Sequence, residues 1–334
     1  MKEKKNVVLT DFEPGEGWAF LKALKETTGE EWTEWQCIAN KFHGKLTNLW
    51  RFALYFLFPL KVFMSRGDYA NIIGWQQFYG LNFAFWSRLF KSKKACNLLI
   101  MTFIYRHRGG WKGHLYFRYM RYIVTSKYID RFVCFSKKEC EYYSSLFGVS
   151  KEKFEYVPLG IDTDGIQETE KGDYIFTTGR SNRDYDFLVE ALKGTEEKLV
   201  IACDSYHGLE VDNTEVDRDC FGKKMRERMA KSFCVVVPFK DSKISAGQLV
   251  VLQAMELGKP VIVTESDGIA DYMQQGKNGY SVSKTSEAIK KAILDLKNNP
   301  RIYEEISTYS KQYFSEHYTV SAMGRNIGSI IKEI

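Results

Sequence analysis

The run FCVVVPFKDSKISAGQLVVLQAMELGKPVIVT, residues 233–264, reads as strand, loop, helix and strand in one pass. Residues 233–237 form an unbroken apolar block that stops at Pro238, and 260–264 form a second. Blocks of this kind, rich in Val and Ile and without polar alternation, suit strands buried on both faces. Between them, 247–257 has helical spacing and ends at Gly258. Two buried strands joined by a helix predict a parallel crossover unit, with helices covering the sheet.

The same alternation extends outward. Strands are expected at 174–178 and 199–202, with weak strand cores at Val211 and Val216. Helices are expected at 185–192, 222–231, 285–298 and 302–317. The first half is less regular. Strands are predicted at 7–10, 72–75, 98–103, 131–135 and 154–157, with aromatic helices near 46–64, 77–90 and 111–128. The polar stretch DTDGIQETEKGD, 162–173, has the composition of a linker. The expected organisation is a Rossmann-like domain over 1–160, a linker at 161–173 and a second such domain over 174–318. A final helix at 319–334 is expected to pack back on the first domain. Both domains are α/β and doubly wound. Ligands of such sheets bind beyond the carboxyl ends of the strands, so the expected site is a central cleft between two facing sheets.

The chain has 334 residues, and its 44% hydrophobic and 27% charged content with six prolines excludes a disordered or collagen-like protein. No apolar run reaches the roughly 18 residues of a membrane span. The charged N-terminus lacks the apolar segment of a secretory signal. The seven cysteines include no CxxC pair, so they are expected as buried core thiols in a reducing compartment rather than as metal ligands. The net charge of +6 is uneven: residues 1–160 carry 25 Lys/Arg against 14 Asp/Glu, and the remainder 23 against 28. Residues 41–131 hold 16 basic and two acidic residues together with 23 of the 50 aromatics, so the two halves are expected to differ in task.

Three segments can carry chemistry. Gly179-Arg180-Ser181-Asn182-Arg183-Asp184 follows a strand and precedes a helix. Its glycine permits a sharp turn, and Arg180 and Arg183 can grip a diphosphate beside a helix N-terminus. The plain alternative is a solvated loop in which these arginines pair with Asp184 or Asp186. In the second segment Ser245, Ala246 and Gly247 open a helix, and their small size lets a ligand approach its N–H groups. There the plain alternative is an N-cap by Ser245. The third, Gly258 to Thr264 with Gly268, Gly276 and Gly279, is structural when taken alone.

Together these segments resemble the retaining GT-B glycosyltransferases of family 4. The likeness rests on Gly179-Arg180, Arg183 at the family's lysine position, and Leu188-Val189-Glu190-Ala191. It rests equally on Gln253-Ala254-Met255-Glu256-Leu257-Gly258-Lys259-Pro260-Val261-Ile262, with Gly268-Ile269 and Asn278-Gly279-Tyr280 beyond. Asp130-Arg131-Phe132-Val133-Cys134-Phe135-Ser136 and Val157-Pro158-Leu159-Gly160-Ile161-Asp162 look like the closing strands of that family's acceptor domain. The resemblance implies a UDP- or GDP-linked sugar donor in the C-terminal domain, with no metal and no further cofactor. Gly179, Arg180, Arg183, Ser245, Ala246, Gly247, Gln248 and Gln253 would bind it, and Arg180 and Arg183 would neutralise the leaving diphosphate. The sequence departs from the family where its paired glutamates fall, at Ser245 and Gln253. A Gln still bonds a ribose hydroxyl, and Asp241 is the nearest carboxylate substitute for the other.

On the acceptor side no catalytic motif matches. Candidates are Glu16, in the loop after the first strand, and His107, with His43 and His114 behind them. The basic aromatic half has three readings: an anionic membrane surface, an aromatic core with a basic rim, and nucleic acid as the least favoured. Segments 50–66 and 111–127 fit the first. The resemblance then implies a cytoplasmic hexosyltransferase-like enzyme, peripheral on the inner membrane face. It would move a sugar onto a cell-envelope glycan or lipid-linked acceptor. The rivals are a nucleotide-sugar epimerase of the same fold and a non-catalytic donor-binding partner subunit.

Overall fold

The computed structural model describes residues 4–38, 45–162, 165–166, 169–209 and 211–334, and the side chains of 45–48 are not described. The chain divides into two units, Met1–Val157 with Ser321–Ile334, and Pro158–Val320. The division falls at Pro158, three residues ahead of the expected linker.

In the first unit the order is β1 (Lys5–Thr10), α1 (Ala19–Thr28), β2 (Trp32–Gln36), α2 (Lys45–Met64), β3 (Tyr69–Gly74) and α3 (Gln77–Leu89). It continues through β4 (Asn97–Ile100), α4 (Gly110–Val124), β5 (Arg131–Cys134), α5 (Lys137–Phe147) and β6 (Phe154–Tyr156). All neighbouring strands run parallel, in the order β2-β1-β3-β4-β5-β6. Edge strand β2 escapes the sequence patterns because Trp32 is buried while Thr33 and Glu34 face water. Strand β4 stops short of the expected 103 because Thr102 takes a left-handed φ of 54°. Helix α5 is also new: Ser136 caps it by accepting the Lys138 N–H, and left-handed Gly148 ends it.

The second unit contains β7 (Tyr174–Thr178), α6 (Tyr185–Leu192), β8 (Lys198–Ala202), β9 (Thr214–Asp217), α7 (Gly222–Ala230) and β10 (Cys234–Val237). Helix α8 (Gln248–Glu256), β11 (Val261–Thr264), β12 (Gly279–Val282), α9 (Ser286–Asn298) and α10 (Pro300–His317) complete it. Its six strands are also all parallel, in the order β12-β11-β10-β7-β8-β9. Successive side chains of a strand point to opposite faces. Accordingly Phe176, Val200, Val235, Val237, Val261 and Val263 enter one core. Ile175, Leu199, Ile201, Cys234, Val236 and Ile262 enter the other. This double burial is the physical reason for the unbroken apolar blocks at 233–237 and 260–264. Helix α11 (Val320–Glu333) closes the chain, and Ser321–Ile334 belong to the first unit. Gly324 and Gly328, one turn apart, lie against Phe20 and Thr27 of α1, where any larger side chain would collide.

In both sheets the order reverses once, between β1 and β3 in the first and between β7 and β10 in the second. At such a point the loops diverge to opposite faces and leave a crevice at the carboxyl ends of the strands.

Just before β12, Asn278 is fully buried. Its Nδ2 donates to Tyr272 O at 2.8 Å and its Oδ1 accepts the Gln274 N–H at 2.9 Å. Asn278→Ala leaves both groups unpaired and should cost about 2 kcal/mol. Chemical denaturation should show a lower midpoint, and an unchanged one would contradict this role.

Candidate functional site

The reversal between β7 and β10 brings two sequence-distant loops together. The first, 179–184, leaves β7 at Gly179, whose φ of 111° only glycine adopts freely. Asn182 follows with a φ of 58°, a conformation asparagine tolerates better than other side chains. Its side chain ties this loop to the one after β10. Nδ2 donates to Asp241 O at 2.8 Å, and Oδ1 accepts the Asp241 N–H at 2.9 Å. The backbone adds Asp184 N to Pro238 O at 3.0 Å and Lys240 N to Asn182 O at 3.2 Å. Asp184 then caps α6 by accepting the Phe187 N–H, and its other oxygen pairs with Lys284 Nζ at 2.6 Å.

Arg183 sits inside this junction. Its Nε donates to Thr178 O at 3.0 Å and its Nη1 to Ser181 O at 2.8 Å. The guanidinium lies 5.4 Å from the Phe239 ring centroid. A Cβ on Gly179 would stand 2.8 Å from Arg183 Nη2, and one on Gly247 3.6 Å from the same nitrogen. So the two glycines flank the cation and keep space open around it. No carboxylate among the described residues pairs with Arg183, and burial pulls its pKa down. A partly buried charge without a counter-ion is costly unless a ligand supplies one.

Helix α8 begins beside this nitrogen. Its N-cap is Gly247, with φ 94°, and no side chain caps it. The plain alternative, an N-cap by Ser245, therefore does not hold. Ser245 Oγ instead accepts Gln248 Nε2 at 2.7 Å, and the same nitrogen reaches Gly268 O at 3.0 Å. Gly268 must be glycine here, because any Cβ would overlap Ser245. The first N–H groups of α8 thus face the site uncapped, with the positive end of the helix dipole behind them.

The other expected residues divide. The plain alternative, in which Arg180 and Arg183 pair with Asp184 or Asp186, does not hold. Arg180 forms a two-point ion pair with Asp204, Nε to Oδ1 at 2.8 Å and Nη2 to Oδ2 at 2.6 Å. The Arg180 hydrogen bond and charge hold the Asp204 carboxyl below its usual range. Arg180 is exposed and lies 5.7 Å from the ring centroid of exposed Phe221. Asp186 accepts instead from Tyr206 and from the Leu209 N–H. Asp241 turns one oxygen into its own loop, accepting the Lys243 N–H at 2.8 Å. Ala246 is buried. Gln253 is half-buried. Five residues along α8 from Gln248, it lies about 7.5 Å further down the axis. In the other unit Glu16, His107 and His114 are all exposed. His107 keeps edge contacts to Tyr105 and Phe117. His43 lies outside the described residues. Among the described residues, no group of three or more His, Cys, Asp or Glu is placed to hold a metal ion. Sequence spacing did not single out Asn182, Asp204 or Phe239, whose roles come from contacts between loops far apart in the chain.

This arrangement can hold an anion of two or more oxygens: a cation that no described carboxylate balances, a helix N-terminus and glycine-lined space. Residues 172–299 match the model of the family Glycosyl transferases group 1. The two parallel six-stranded sheets with their helices form the GT-B fold. Anabaena HepE, solved with UDP-glucose, is similar with a TM-score of 0.64 and 13% identity, covering 99% of this chain and 100% of that one. Sucrose-phosphate synthase of Thermosynechococcus elongatus is similar with a TM-score of 0.67 and 14% identity, covering 99% of both chains. In sequence, a probable sucrose-phosphate synthase of Thermosipho melanesiensis is 24% identical over 240 residues. That match covers 65% of this chain and 55% of that protein, so it spans little more than half of the relative.

Inorganic pyrophosphate should raise the melting temperature of the chain. Arg183→Ala should weaken its binding roughly tenfold or more, the scale of a lost charge-assisted bond. Arg180→Ala should weaken it less, since Asp204 already answers that charge. Equal losses in the two variants would contradict this division.

Proposed function

We propose that the protein is a glycosyltransferase that takes a sugar from a nucleoside-diphosphate donor bound at the β7/β10 junction. The observation that carries this is the Arg183 guanidinium, which no described carboxylate balances, beside the N-terminus of α8, which no side chain caps. Breaking the bond between sugar and diphosphate leaves negative charge on the departing phosphate. A fixed cation and a helix N-terminus meet that charge with little reorganisation. Among donors, UDP-linked sugars are favoured over GDP-linked ones, because the structurally similar HepE was solved with UDP-glucose. Arg180, with Asp204 and Phe221 beside it, would border the nucleotide, and Gln253 would reach its ribose. We take transfer to retain the anomeric configuration, as the family resemblance implies. The acceptor on this reading is a cell-envelope glycan or a lipid-linked glycan.

The surface of the first unit supports a lipid-linked acceptor. On α4, Trp111, Leu115 and Tyr122 fall on one stripe and are exposed, Trp111 at 72% and Leu115 at 62%. Lys112, Arg118 and Arg121 are exposed beside them. Such a face suits the headgroup region of an anionic bilayer, with apolar rings in the interface and cations at the phosphates. No helix among the described residues is long and apolar enough to cross a membrane. The location that goes with a lipid-linked acceptor on this reading is the cytoplasmic face, held peripherally.

Release of UDP from UDP-glucose should be acceptor-dependent, and Arg183→Ala should lower it roughly a hundredfold. Near-normal turnover in that variant would sink the assignment. UDP binding without transfer would favour a non-catalytic partner subunit, and release of an epimerised sugar without an acceptor would favour an epimerase.

The chain should also float with phosphatidylglycerol vesicles at low salt and release as salt rises. Replacing Lys112, Arg118 and Arg121 by Glu should abolish flotation. Salt-insensitive behaviour would rule the docking out.

A further inference from the structure

The second unit has a cavity at the amino ends of its strands, opposite the β7/β10 junction. It measures about 440 Å³, within the range of small-molecule sites. Three segments line it. Thr169 to Lys171 precede β7, Gly258 and Lys259 precede β11, and α10 contributes one face that includes Tyr303, Ser307 and Lys311. The strands are parallel, so the four residues of β10, about 13 Å long, separate this cavity from the loops around Arg183.

Three ammonium groups border the cavity, and each is held by something other than a carboxylate. Lys259 is only 2% exposed. Its Nζ donates to Ser232 O at 2.9 Å and to Glu170 O. An ammonium has three N–H groups, and the third finds no acceptor among the described residues. Lys311 Nζ donates to Thr169 Oγ1 at 3.3 Å. Lys171 Nζ lies 4.1 Å from the Tyr303 ring centroid. Among the described residues no ion pair joins any of the three to an acid.

Gly258 sets how closely α10 approaches. It has a φ of 66°, and a Cβ there would stand 2.5 Å from Lys311 Cε and 2.7 Å from Ser307 Oγ. The stem of Lys311 therefore crosses the glycine and carries its charge toward Lys259. Burial first, and the Lys311 charge second, pull the Lys259 pKa down to about 8, while Cys234 of β10, Glu170 and Glu304 act in the opposite direction. Like charges thus face one open space, a cost that a bound anion offsets.

We infer that this cavity is a second anion site, for a small phosphate monoester, with Lys171, Lys259 and Lys311 on the phosphate and the hydroxyls of Ser307 and Thr308 on the remainder. Lysine ammonium groups are point charges with rotatable donors, and three converging from separate segments suit the oxygens of one phosphate. Exposed Glu170 and Glu304 also line the cavity, so a single phosphate fits better than a polyphosphate. An anion here would fasten the segment before β7 to α10. The inference goes beyond the transferase reading and uses none of the residues of the β7/β10 junction.

The full chain is titrated by calorimetry with glycerol 3-phosphate and with inorganic phosphate, as wild type and as Arg183→Ala. Glycerol 3-phosphate should bind more tightly than inorganic phosphate, and with the same affinity in both chains. Lys171→Gln and Lys311→Gln change exposed side chains, and each should weaken binding roughly tenfold, the scale of a lost charge-assisted bond. Lys291→Gln, exposed on α9, should leave it unchanged. Affinity should fall as pH rises above about 8, where Lys259 loses its proton while the phosphate stays dianionic. No binding of glycerol 3-phosphate, tighter binding of inorganic phosphate, or an equal loss in Lys291→Gln would overturn the inference. So would loss in Arg183→Ala with retention in Lys311→Gln, which would put the anion at the β7/β10 junction, or an affinity that does not fall above that pH.

Discussion

A guanidinium held partly buried, with no carboxylate among the described residues to balance it, is the constraint around which the second unit is organised. Arg183 could have paired with Asp184 or Asp186, both close in sequence. Instead Asp184 is taken by the α6 N-terminus and Lys284, and Asp186 by Tyr206 and the Leu209 N–H. What holds Arg183 is backbone carbonyl oxygen and the Phe239 ring, which orient the cation without cancelling its charge. Asn182 fastens the two loops on either side, so the cation does not relax toward solvent. Such an arrangement costs stability in the empty protein, and binding an anion offsets that cost.

The same topological rule operates in both sheets, with different chemistry at each reversal. Between β7 and β10 the loops present a cation, an uncapped helix and glycines, which suits phosphate. Between β1 and β3 they present a carboxylate held by an amide, Asp11 by Gln76. The charge asymmetry of the two halves runs opposite to these local sites. The acidic half carries both proposed anion sites, and the basic half carries the crevice built around Asp11. Net charge therefore speaks to surfaces such as the α4 face, and local pairing speaks to the sites.

Much of the second unit was legible because its strands are buried on both faces, which writes unbroken Val and Ile runs into the sequence. Two edge strands, β2 and β12, were the blind spot. In β2 only Trp32 is fully buried, and β12 carries Gly279, Tyr280 and Ser281 with little apolar signal. At the site, Gly179, Arg183 and Gly247 could be found from spacing, since a glycine turn between strand and helix is a local feature. The Arg180 to Asp204 pair could not, because it joins residues 24 apart through the adjacency of β7 and β8. A cap at Ser245 was the plain alternative because cap residues are recognised by type. The position is decided by backbone conformation, and Gly247 takes the left-handed one. Asp11 and Gln76, 65 residues apart, meet only through the β1–β3 pairing.

The most direct measurement of the central claim is a crystal structure of the chain soaked with UDP. The account predicts diphosphate oxygens within hydrogen-bonding distance of the Arg183 guanidinium and of the first N–H groups of α8, with the Arg180 to Asp204 pair beside the nucleotide. A UDP bound elsewhere in the second unit, with Arg183 touching none of its oxygens, would contradict it.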